Sequence, residues 1–466
     1  MTLPSIIIDL NKKFEEAGFS LYLVGGSVRD LLLEKGNKDW DFTTDAKPEE
    51  ILKIIPEGFN NNDFGTVSVV IASEARQSQD EKTIIEITTM RKEGDYKDNR
   101  HPSTVGWTNI IEEDLGRRDF TINAMALNIH DVIASEAWQS HIIDPYNGRT
   151  DLENGMIKAV GNPQDRFQED ALRIMRAVRF SAQLNFEIYE DTLNAIKDKK
   201  ELLKNIAWER VRDELFKLLA TENAYEGIVT LKETGILEII LPELSKCFGI
   251  VQEGPKHDRI YDIGEHCFLS LKHCPSTDPL VKFATLLHDI GKVDTYKIAK
   301  DGNVTFYNHE VVGANVAKQI CRRFNLSNEQ TNKVYNLIRW HMFTINEDQT
   351  DASIRRFIKN VGLENVDDMM ALRVGDRLGG GTKNAVSWRM KKFRERIDEV
   401  MTKPFSISDL KINGKDVMDT LNIKPGPKVG EILSKLFEEV LEDAEKNNRE
   451  YLIERLKEIA PINNEP

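Results

Sequence analysis

One stretch of sequence decides the fold of this chain: Leu23-Val24-Gly25-Gly26-Ser27-Val28-Arg29-Asp30, followed by Asp39-Trp40-Asp41-Phe42. If the second part is a β-strand, Asp39 and Asp41 point to the same face, because side chains alternate along a strand. Two carboxylates on one face suit Mg²⁺, which binds few protein carboxylates and leaves room for substrate phosphates. Gly25 and Gly26 let backbone N–H groups approach a triphosphate closely, and Arg29 can bind its charge. The stretch therefore predicts metal-assisted nucleotidyl transfer, although either half alone also fits a surface turn before a half-exposed strand.

Two further segments carry charged motifs. Residues 116–126 read Gly-Arg-Arg-Asp-Phe-Thr-Ile-Asn-Ala-Met-Ala, and residues 167–180 read Phe-Gln-Glu-Asp-Ala-Leu-Arg-Ile-Met-Arg-Ala-Val-Arg-Phe. Together with the opening stretch, and in the same order, they resemble the motifs of the class II tRNA nucleotidyltransferase and poly(A) polymerase group, a branch of the polymerase-β-like superfamily. Matching blocks run from about Leu21 to Leu219. The resemblance implies an α+β fold, with a polymerase-β-like nucleotidyltransferase head followed by an extended all-α body that includes an HD-type helical domain.

The resemblance also implies a catalytic centre in the head. Asp39 and Asp41 match the Mg²⁺ ligands of the family, and Glu86, in the strand-like run Ile85-Glu86-Ile87, matches a third catalytic carboxylate. In a two-metal site, one ion activates the attacking 3′-hydroxyl and the other steadies the leaving pyrophosphate. The residues assigned by the same resemblance to nucleotide binding in the head are Gly25, Gly26, Ser27, Arg29, Arg118, Asp119 and Asn123.

The second block allows more specific expectations. Arg118 is expected to contact the nucleotide phosphates or sugar, and Asp119 and Asn123 are expected to orient Arg118 or to bind the ribose. An Arg-Arg-Asp sequence before an apolar run is also an ordinary helix start with a favourable acid in its first turn, but the length of the match favours a functional role. The charged segment at residues 90–102 resembles the family's flexible loop, which is associated with adding adenosine.

The third block predicts how bases are selected. On a continuous α-helix, its charged residues recur every third position and form a ridge made of Asp170, Arg173, Arg176 and Arg179. Cytosine and adenine both present an exocyclic amine beside an unprotonated ring nitrogen, so a carboxylate and a guanidinium can pair with either base. The resemblance implies that Asp170 and Arg173 select bases in this way, while Arg176 and Arg179 bind phosphates or fix Asp170. A helix with i,i+3 salt bridges would show the same spacing.

A second candidate site lies downstream. Its residues occur in the order His266, His288-Asp289, His309, His341 and Asp376, and this order resembles the HD metal-dependent phosphohydrolase superfamily. Such a set of side chains can bind a divalent ion with open positions for water and phosphate. The resemblance implies a second divalent metal, held by His266, His288, Asp289 and Asp376. Such a domain can hydrolyse phosphates at RNA ends or serve as a scaffold.

Composition places the chain among ordinary globular proteins. Its 466 residues are 40% hydrophobic and 30% charged, which indicates two to four domains. A net charge of −14 is not typical of a nucleic-acid binder, so RNA would have to bind a segregated basic face. Residues 1–20 read as an amphipathic helix without a signal peptide, and no apolar run is long enough for a membrane span. The cysteines have no zinc spacing, so reduced thiols and a cytoplasmic location are expected for Cys247, Cys267, Cys274 and Cys321.

The pattern of apolar residues divides the chain. Short β-like runs dominate from about residue 20 to 145, and helical periodicity dominates from about 150 onward. We predict a nucleotidyltransferase head at 1–150, a helical nucleotide-selecting neck and body at 151–255, an HD-type helical domain at 256–400 and a helical tail at 401–466. Residues 70–79 nearly duplicate residues 132–141, and both copies read as insertions at loop tips.

One function fits these features best. It is the template-independent addition or repair of the 3′-terminal CCA of tRNA from CTP and ATP, with Mg²⁺ and with release of pyrophosphate. An A-adding partial enzyme or a poly(A) polymerase remains open within the same class. From another class, the chain could be an HD phosphohydrolase whose head only binds nucleotide, but the Asp39/Asp41 and Asp170/Arg173 pairs argue against this reading. The expected partners are the tRNA 3′ end, CTP and ATP, and no membrane.

Overall fold

The structure is a computed structural model of the chain. It describes residues 4–36, 39–60, 65–72, 82–94, 105–134, 138–252, 261–300, 302–343, 350–384, 388–401 and 407–459. The chain divides into two compact units, Met1–Ser245 and Lys246–Pro466.

A seven-stranded mixed sheet forms the centre of the first unit. The strands of the head are β1 (Leu21–Val24), β2 (Asp39–Thr44), β3 (Phe59–Asn60), β4 (Thr66–Ala72), β5 (Lys82–Thr89), β6 (Arg91–Glu93), β7 (Val105–Trp107), β8 (Ala126–Asn128) and β9 (Ile142–Ile143). The order across the sheet is β3-β4-β5-β2-β1-β8-β9, while β6 and β7 form a separate hairpin. Only β2 and β5 run parallel, and the other neighbours are antiparallel. β4 pairs with β5 in an antiparallel register that runs from Thr66 opposite Thr88 to Ala72 opposite Lys82.

Helices surround this sheet and continue beyond it. Those of the first unit are α1 (Ser5–Glu16), α2 (Gly26–Leu32), α3 (Pro48–Ile54), α4 (Ile111–Gly116), α5 (Ile129–Ala134), α6 (Gly148–Glu153), α7 (Pro163–Glu169), α8 (Leu172–Leu184), α9 (Glu190–Lys199), α10 (Trp208–Leu219), α11 (Ala224–Glu233), α12 (Leu237–Ile240) and α13 (Pro242–Ser245). A parallel pair of short strands, β10 (Met156–Ile157) and β11 (Glu187–Ile188), and 3₁₀ turns at Thr121–Asn123, Trp138–His141 and Lys200–Asn205 complete the unit. Helix α8 buries its apolar side, including Met175 and Val178, because those residues recur at helical spacing.

The second unit is almost wholly helical. Its helices are α14 (Ile263–His273), α15 (Pro279–Leu287), α16 (Lys292–Thr295), α17 (His309–Arg323), α18 (Asn328–Trp340), α19 (Asp351–Val361), α20 (Val366–Gly379), α21 (Trp388–Met401), α22 (Gly414–Leu421), α23 (Pro427–Glu442) and α24 (Arg449–Ile459). Two short antiparallel strand pairs, β12 (Val251–Gln252) with β13 (Tyr261–Asp262) and β14 (Lys297–Ile298) with β15 (Val304–Thr305), and 3₁₀ turns at Leu363–Asn365, Ile407–Asp409 and Ala444–Lys446 complete it. The last three helices share an apolar core that runs from Leu410 to Leu456.

The predicted fold class is confirmed, since an α+β head precedes a mainly helical body. The four-part division of the chain stays a prediction. Among the described residues, no helix combines the length and the apolar character that a bilayer span needs. Most of the predicted adenosine-associated loop lies outside the described residues, as do the centres of both repeated insertions.

Candidate active site

Two predicted carboxylates meet at the centre of the sheet. In the parallel pairing of β2 with β5, Asp41 is the direct partner of Glu86, so both side chains leave the sheet on the same face. Both residues line a cavity of about 250 Å³. The remaining lining residues are Val24, Phe42, Thr66, Thr88, Arg91, Arg117 and Arg118. Asp39 is the first residue of β2, two positions before Asp41, and its side chain lies outside the described part of the structure.

The predicted glycine turn lies directly beside this cavity. Gly25 joins β1 to α2 with a φ of 65°, a backbone conformation that glycine adopts without strain. A Cβ atom at Gly25 would lie 2.7 Å from Nη1 of Arg118, so the guanidinium lies over the turn. The Ser27 hydroxyl accepts a hydrogen bond from the backbone N–H of Asp41 at 2.9 Å, which ties α2 to the carboxylate-bearing strand.

The hydrogen bonds of Arg118 leave part of its guanidinium available to bind an anion. Its Nη2 donates to Asp114 at 3.3 Å, and its buried Nε has no hydrogen-bond partner within the chain. Buried polar atoms are normally satisfied, so an unpaired guanidinium nitrogen at the wall of a cavity indicates a missing acceptor. Phosphate oxygens are suitable acceptors for such a donor.

The predicted nucleotide ligand Arg29 bonds within the protein instead. Its guanidinium donates to both carboxylate oxygens of Asp30, at 2.8 and 2.9 Å, and to Oδ1 of Asn123 at 2.7 Å. Asn123 in turn donates to Asp119 at 3.2 Å, so its observed partners are Arg29 and Asp119 rather than Arg118. These contacts favour a role for Arg29 and Asn123 in holding α2 in place, and direct contact with phosphates stays a prediction.

A buried chain of ion pairs continues from Asp119 into α8 and α10. Arg176 donates to Asp119 at 2.7 Å, and Arg179 donates to Glu214 at 2.5 Å. Burial alone would raise the pKa of Asp119, but Arg176 and Arg173 outweigh this effect and lower it to about 2. Asp119 is therefore ionised at neutral pH.

The continuous helix predicted for residues 167–180 is wrong. Helix α7 ends at Glu169, Asp170 has extended backbone angles (φ −133°, ψ 103°), and α8 begins at Leu172. The physical reason is local, because Oδ1 of Asp170 accepts the N–H of Leu172 at 3.0 Å, and such a bond competes with helix continuation. Asp170 therefore stands at the junction of two helices instead of on a shared ridge.

The partners of the predicted base-selecting residues also differ from the expectation. Asp170 is held by Arg210, whose Nη2 lies 3.1 Å from Oδ2, while Arg176 and Arg179 donate to Asp119 and Glu214. Arg173 donates to Glu169 at 2.8 Å and to the Arg117 carbonyl at 2.9 Å. The supporting residues that sequence reasoning missed are Asp114, Glu169, Arg210 and Glu214. Of these, Glu169 and Asp114 are visible from their i,i+4 spacing to Arg173 and Arg118. Arg210 and Glu214 lie 40 and 35 positions from the residues they hold, so no local spacing reveals them.

The His/Asp cluster of the second unit is assembled from three helices, α14, α17 and α20, and from the turns that follow α15 and α18. The predicted residues His266, His288, Asp289 and Asp376 come together, joined by His309 and His341. Oδ2 of Asp289 lies 3.3 Å from Nε2 of both His266 and His288. Its other oxygen, Oδ1, lies 3.3 Å from Nε2 of His309 and 3.7 Å from that of His341.

Backbone carbonyls fix the orientation of three of these imidazoles. The Nδ1 atoms lie 2.7–2.9 Å from the backbone carbonyls of Thr285, Phe306 and Ile338 for His288, His309 and His341, respectively. This arrangement points the Nε2 atoms of these three histidines at the Asp289 carboxylate. Metal-binding histidines are commonly oriented in the same way, by a hydrogen bond from the other ring nitrogen. Burial would raise the pKa values of Asp289 and Asp376, but neighbouring histidines lower both, so these carboxylates are ionised.

Comparison with known proteins places the chain in a family. Residues 21–158 match the family model for the poly A polymerase head domain. Residues 185–248 match "Probable RNA and SrmB-binding site of polymerase A", and residues 305–456 match "tRNA nucleotidyltransferase domain 2".

The sequences of two tRNA nucleotidyltransferases align with most of this chain. A CCA-adding enzyme of Ligilactobacillus salivarius is 33% identical, over 96% of this chain and 95% of its own. An A-adding tRNA nucleotidyltransferase of Deinococcus radiodurans is 31% identical, over 89% and 90%. The crystal structure of the Bacillus stearothermophilus CCA-adding enzyme in complex with CTP superposes with a TM-score of 0.71 at 25% identity, over 98% of both chains. The chain therefore belongs to the class II family of CCA-adding tRNA nucleotidyltransferases and poly(A) polymerases.

Proposed function

We propose that this chain adds or repairs the 3′-terminal CCA of tRNA, with CTP and ATP as substrates and pyrophosphate as the product. The observation that supports this most directly is the pairing of Asp41 with Glu86 at the wall of a cavity that also presents three arginines. A full-length match to a relative named CCA-adding enzyme supports the choice of substrate.

The carboxylates fit a divalent metal. Oxygen donors from two neighbouring strands, with a third possible from Asp39, are the ligands that Mg²⁺ prefers. Mg²⁺ held by Asp39, Asp41 and Glu86 would neutralise charge on the triphosphate and lower the pKa of the attacking hydroxyl. Arg118 would bind phosphate oxygens through its unpaired Nε, and the Gly25 turn would let the backbone approach them. The tRNA 3′-oxygen would form a bond to the α-phosphorus as pyrophosphate leaves.

Base selection is proposed for Asp170 and Arg173. Each is held by its own counter-charge, Arg210 for Asp170 and Glu169 for Arg173, so neither is neutralised by the other. A fixed acceptor and a fixed donor can read the amine and ring nitrogen shared by cytosine and adenine. A base with the opposite pattern would leave buried groups unpaired, at a cost of about 1–3 kcal/mol each.

A single assay tests this function. Full-length protein is incubated with Mg²⁺ and a tRNA that ends either before CCA or in CC. Each nucleoside triphosphate is supplied separately, CTP is supplied with ATP, all four are supplied together, and the products are sequenced. We expect CCA from CTP plus ATP. Addition of A only to tRNA ending in CC would select the A-adding activity, which the Deinococcus radiodurans relative makes the second candidate. Long A tracts would select polyadenylation, and no extension by folded protein would refute nucleotidyl transfer.

We further propose that the His/Asp cluster binds a divalent metal and hydrolyses a phosphate ester. The donor set fits a metal, because four histidine Nε2 atoms lie 3.3–3.7 Å from the carboxylate oxygens of Asp289, and the carboxylates of Asp289 and Asp376 are ionised. Bound metal would activate water for attack on phosphorus. Asp41→Ala should abolish tRNA extension and keep metal at the cluster, whereas His288→Ala should lose that metal and keep tRNA extension. Metal analysis of both purified variants provides the readout, and His288→Ala protein that retains metal at the wild-type ratio would contradict the assignment.

A further inference from the structure

A buried acid, Asp114, holds part of the arginine wall of the cavity in the head. It lies on α4, and its side chain is 0% exposed. Its Oδ1 accepts hydrogen bonds from Nε and Nη2 of Arg117 at 3.0 and 2.8 Å, and its Oδ2 accepts from Nη2 of Arg118 at 3.3 Å. One carboxylate therefore holds two guanidinium groups that carry the same charge and would otherwise repel each other.

The same carboxylate also fixes the backbone at the third arginine of the cavity wall. The N–H of Arg91 donates to Oδ1 of Asp114 at 3.2 Å. The residue before it, Met90, donates its N–H at 2.7 Å to the carbonyl of Thr44, which ends the strand that carries Asp41. All three arginines that line the cavity are thus hydrogen-bonded to one side chain, and a short path connects that side chain to the acidic strand.

The contacts of Asp114 require a carboxylate. Burial alone would raise the pKa of Asp114, but Arg117 and Arg118 outweigh this effect and lower it, so the group is ionised at neutral pH. An ionised carboxylate only accepts hydrogen bonds and can therefore bind an arginine through each oxygen. An amide in its place has one oxygen and one NH₂ group, so one of the two arginines would face a donor whichever way the amide is turned.

Arg118 keeps part of its guanidinium for a ligand. Its side chain is 18% exposed, and its buried Nε has no hydrogen-bond partner among the described residues. A guanidinium that is already held in place loses little freedom when an anion binds, and such preorganisation increases affinity. The proposed metal-binding carboxylates serve the α-phosphorus, where the new bond forms. The arginines of the wall are therefore suited to the β- and γ-phosphates, which leave as pyrophosphate.

We propose that Asp114 is a positioning residue for the incoming nucleoside triphosphate, because it holds Arg117 and Arg118 where they bind the β- and γ-phosphates. The inference rests on the proposed nucleotidyl transfer and adds the residue that orients its phosphate-binding arginines. Asp114 acts through these arginines and does not contact the nucleotide, since its side chain is fully buried and both of its oxygens accept from arginines.

The test compares CTP with CMP, which lacks the two phosphates that leave. Each ligand is titrated by calorimetry into full-length protein with excess Mg²⁺ and without tRNA. We expect Asp114→Asn to reduce the preference for CTP over CMP about tenfold, the effect of one hydrogen bond to a charged group. The preference for CTP over UTP should stay unchanged, because other residues are proposed to read the base. Glu112→Gln removes the same charge from an exposed position of the same helix and should leave both preferences unchanged.

A second variant covers the case in which Asp114→Asn does not fold. Arg118→Lys keeps the positive charge, but its single ammonium nitrogen has to serve both Asp114 and the phosphates, whereas a guanidinium binds them through separate nitrogens. This variant should also lose about tenfold of the preference for CTP over CMP. Circular dichroism shows whether each variant is folded.

The outcomes distinguish this role from the proposed function. An unchanged preference for CTP over CMP in folded Asp114→Asn, or in Arg118→Lys if the first variant does not fold, would overturn the role of Asp114. Equal losses in the preferences over CMP and over UTP would also overturn it, because they would show a general distortion of the site. Wild-type protein that does not extend tRNA but shows the Asp114-dependent preference would refute the proposed function and leave this role standing.

Discussion

At the scale of residues, the head is organised by buried charges that satisfy one another. Asp119 and Glu214 are both less than a tenth exposed, and each accepts from an arginine of α8. A buried charge without its partner is costly, so removal of one member is expected to disturb the others. These pairs fix the helix that carries the predicted base-selecting arginine.

The lowered pKa of Asp119 predicts a pH dependence of stability. Since the folded value of about 2 lies below the usual 3.8, the stabilisation is complete above pH 4 and is lost as the pH falls towards 2. Its size is about 2 kcal/mol by linkage. We expect Asp119→Asn to lower the free energy of unfolding at pH 7. This gap between the free energies of the variant and the wild type should shrink by about half at pH 3. Denaturant unfolding at both pH values measures this gap, and the exposed Asp191→Asn is the control. A gap independent of pH would contradict the ion pair.

Arg210 predicts an effect on fidelity. Its bond to Asp170 fixes the proposed base acceptor, and a bond to a charged group contributes about 1.5–3 kcal/mol. We expect Arg210→Gln to reduce the preference for CTP over UTP about tenfold, measured as the ratio of kcat/KM values on tRNA lacking CCA. Arg212→Gln, which changes an arginine paired with the neighbouring Asp213, should leave the ratio unchanged. An unchanged ratio in Arg210→Gln would remove Arg210 from base selection.

The sequence alone predicts the types of the site residues and their short spacings. It does not predict hydrogen-bond partners that lie far away along the chain. The pairing of Asp41 with Glu86 follows from two recognisable strands. The contact between Asp170 and Arg210 spans 40 positions, and no local pattern encodes it. Arg29 shows the same limit, since its spacing suits a phosphate contact but Asn123, 94 positions away, accepts its hydrogen bond.

At the scale of elements, the junctions between helices and strands are more informative than the elements themselves. The break between α7 and α8 arises from one side-chain bond of Asp170, which the regular spacing of apolar residues on either side conceals. The turn from β1 to α2 was easier to predict because it requires a positive φ, and glycine is the residue that supplies it.

Gly25 and Gly18 form a matched pair that tests the turn. Both have positive φ, at 65° and 84°, but a Cβ at Gly25 meets Arg118 whereas one at Gly18 meets nothing within 4 Å. Alanine should destabilise either position by about 1–2 kcal/mol through backbone strain alone. Only Gly25→Ala should also lower kcat/KM for CTP, by at least tenfold, because it displaces Arg118. Thermal unfolding and the tRNA extension assay separate the two effects. Equal activity in both variants would show that the turn does not position Arg118.

At the scale of the whole molecule, the cysteines are unevenly distributed. All four are buried in the second unit, and none forms a disulfide. Burial raises the pKa of Cys247 and of Cys321 to about 12, and it raises those of Cys267 and Cys274 as well, so native thiolate is scarce.

The thiols therefore report on the second unit. We expect Ellman's reagent to react with the folded protein only through opening of that unit. Gly375→Ala should raise the reaction rate at least tenfold, because its Cβ would lie 2.5 Å from the Ser270 carbonyl oxygen. Gly25→Ala, a change in the first unit, should leave the rate unchanged. Equal acceleration by both variants would mean that the two units open in one cooperative step.

The short strands at both ends of the central sheet limit how the folded head can associate. β3 and β9 contain two residues each, so each of these end strands offers few backbone amides to a strand from another molecule. Lateral growth of this sheet into an amyloid-type ladder is thus disfavoured in the native state, and concentrated stocks should remain free of fibres seeded from it.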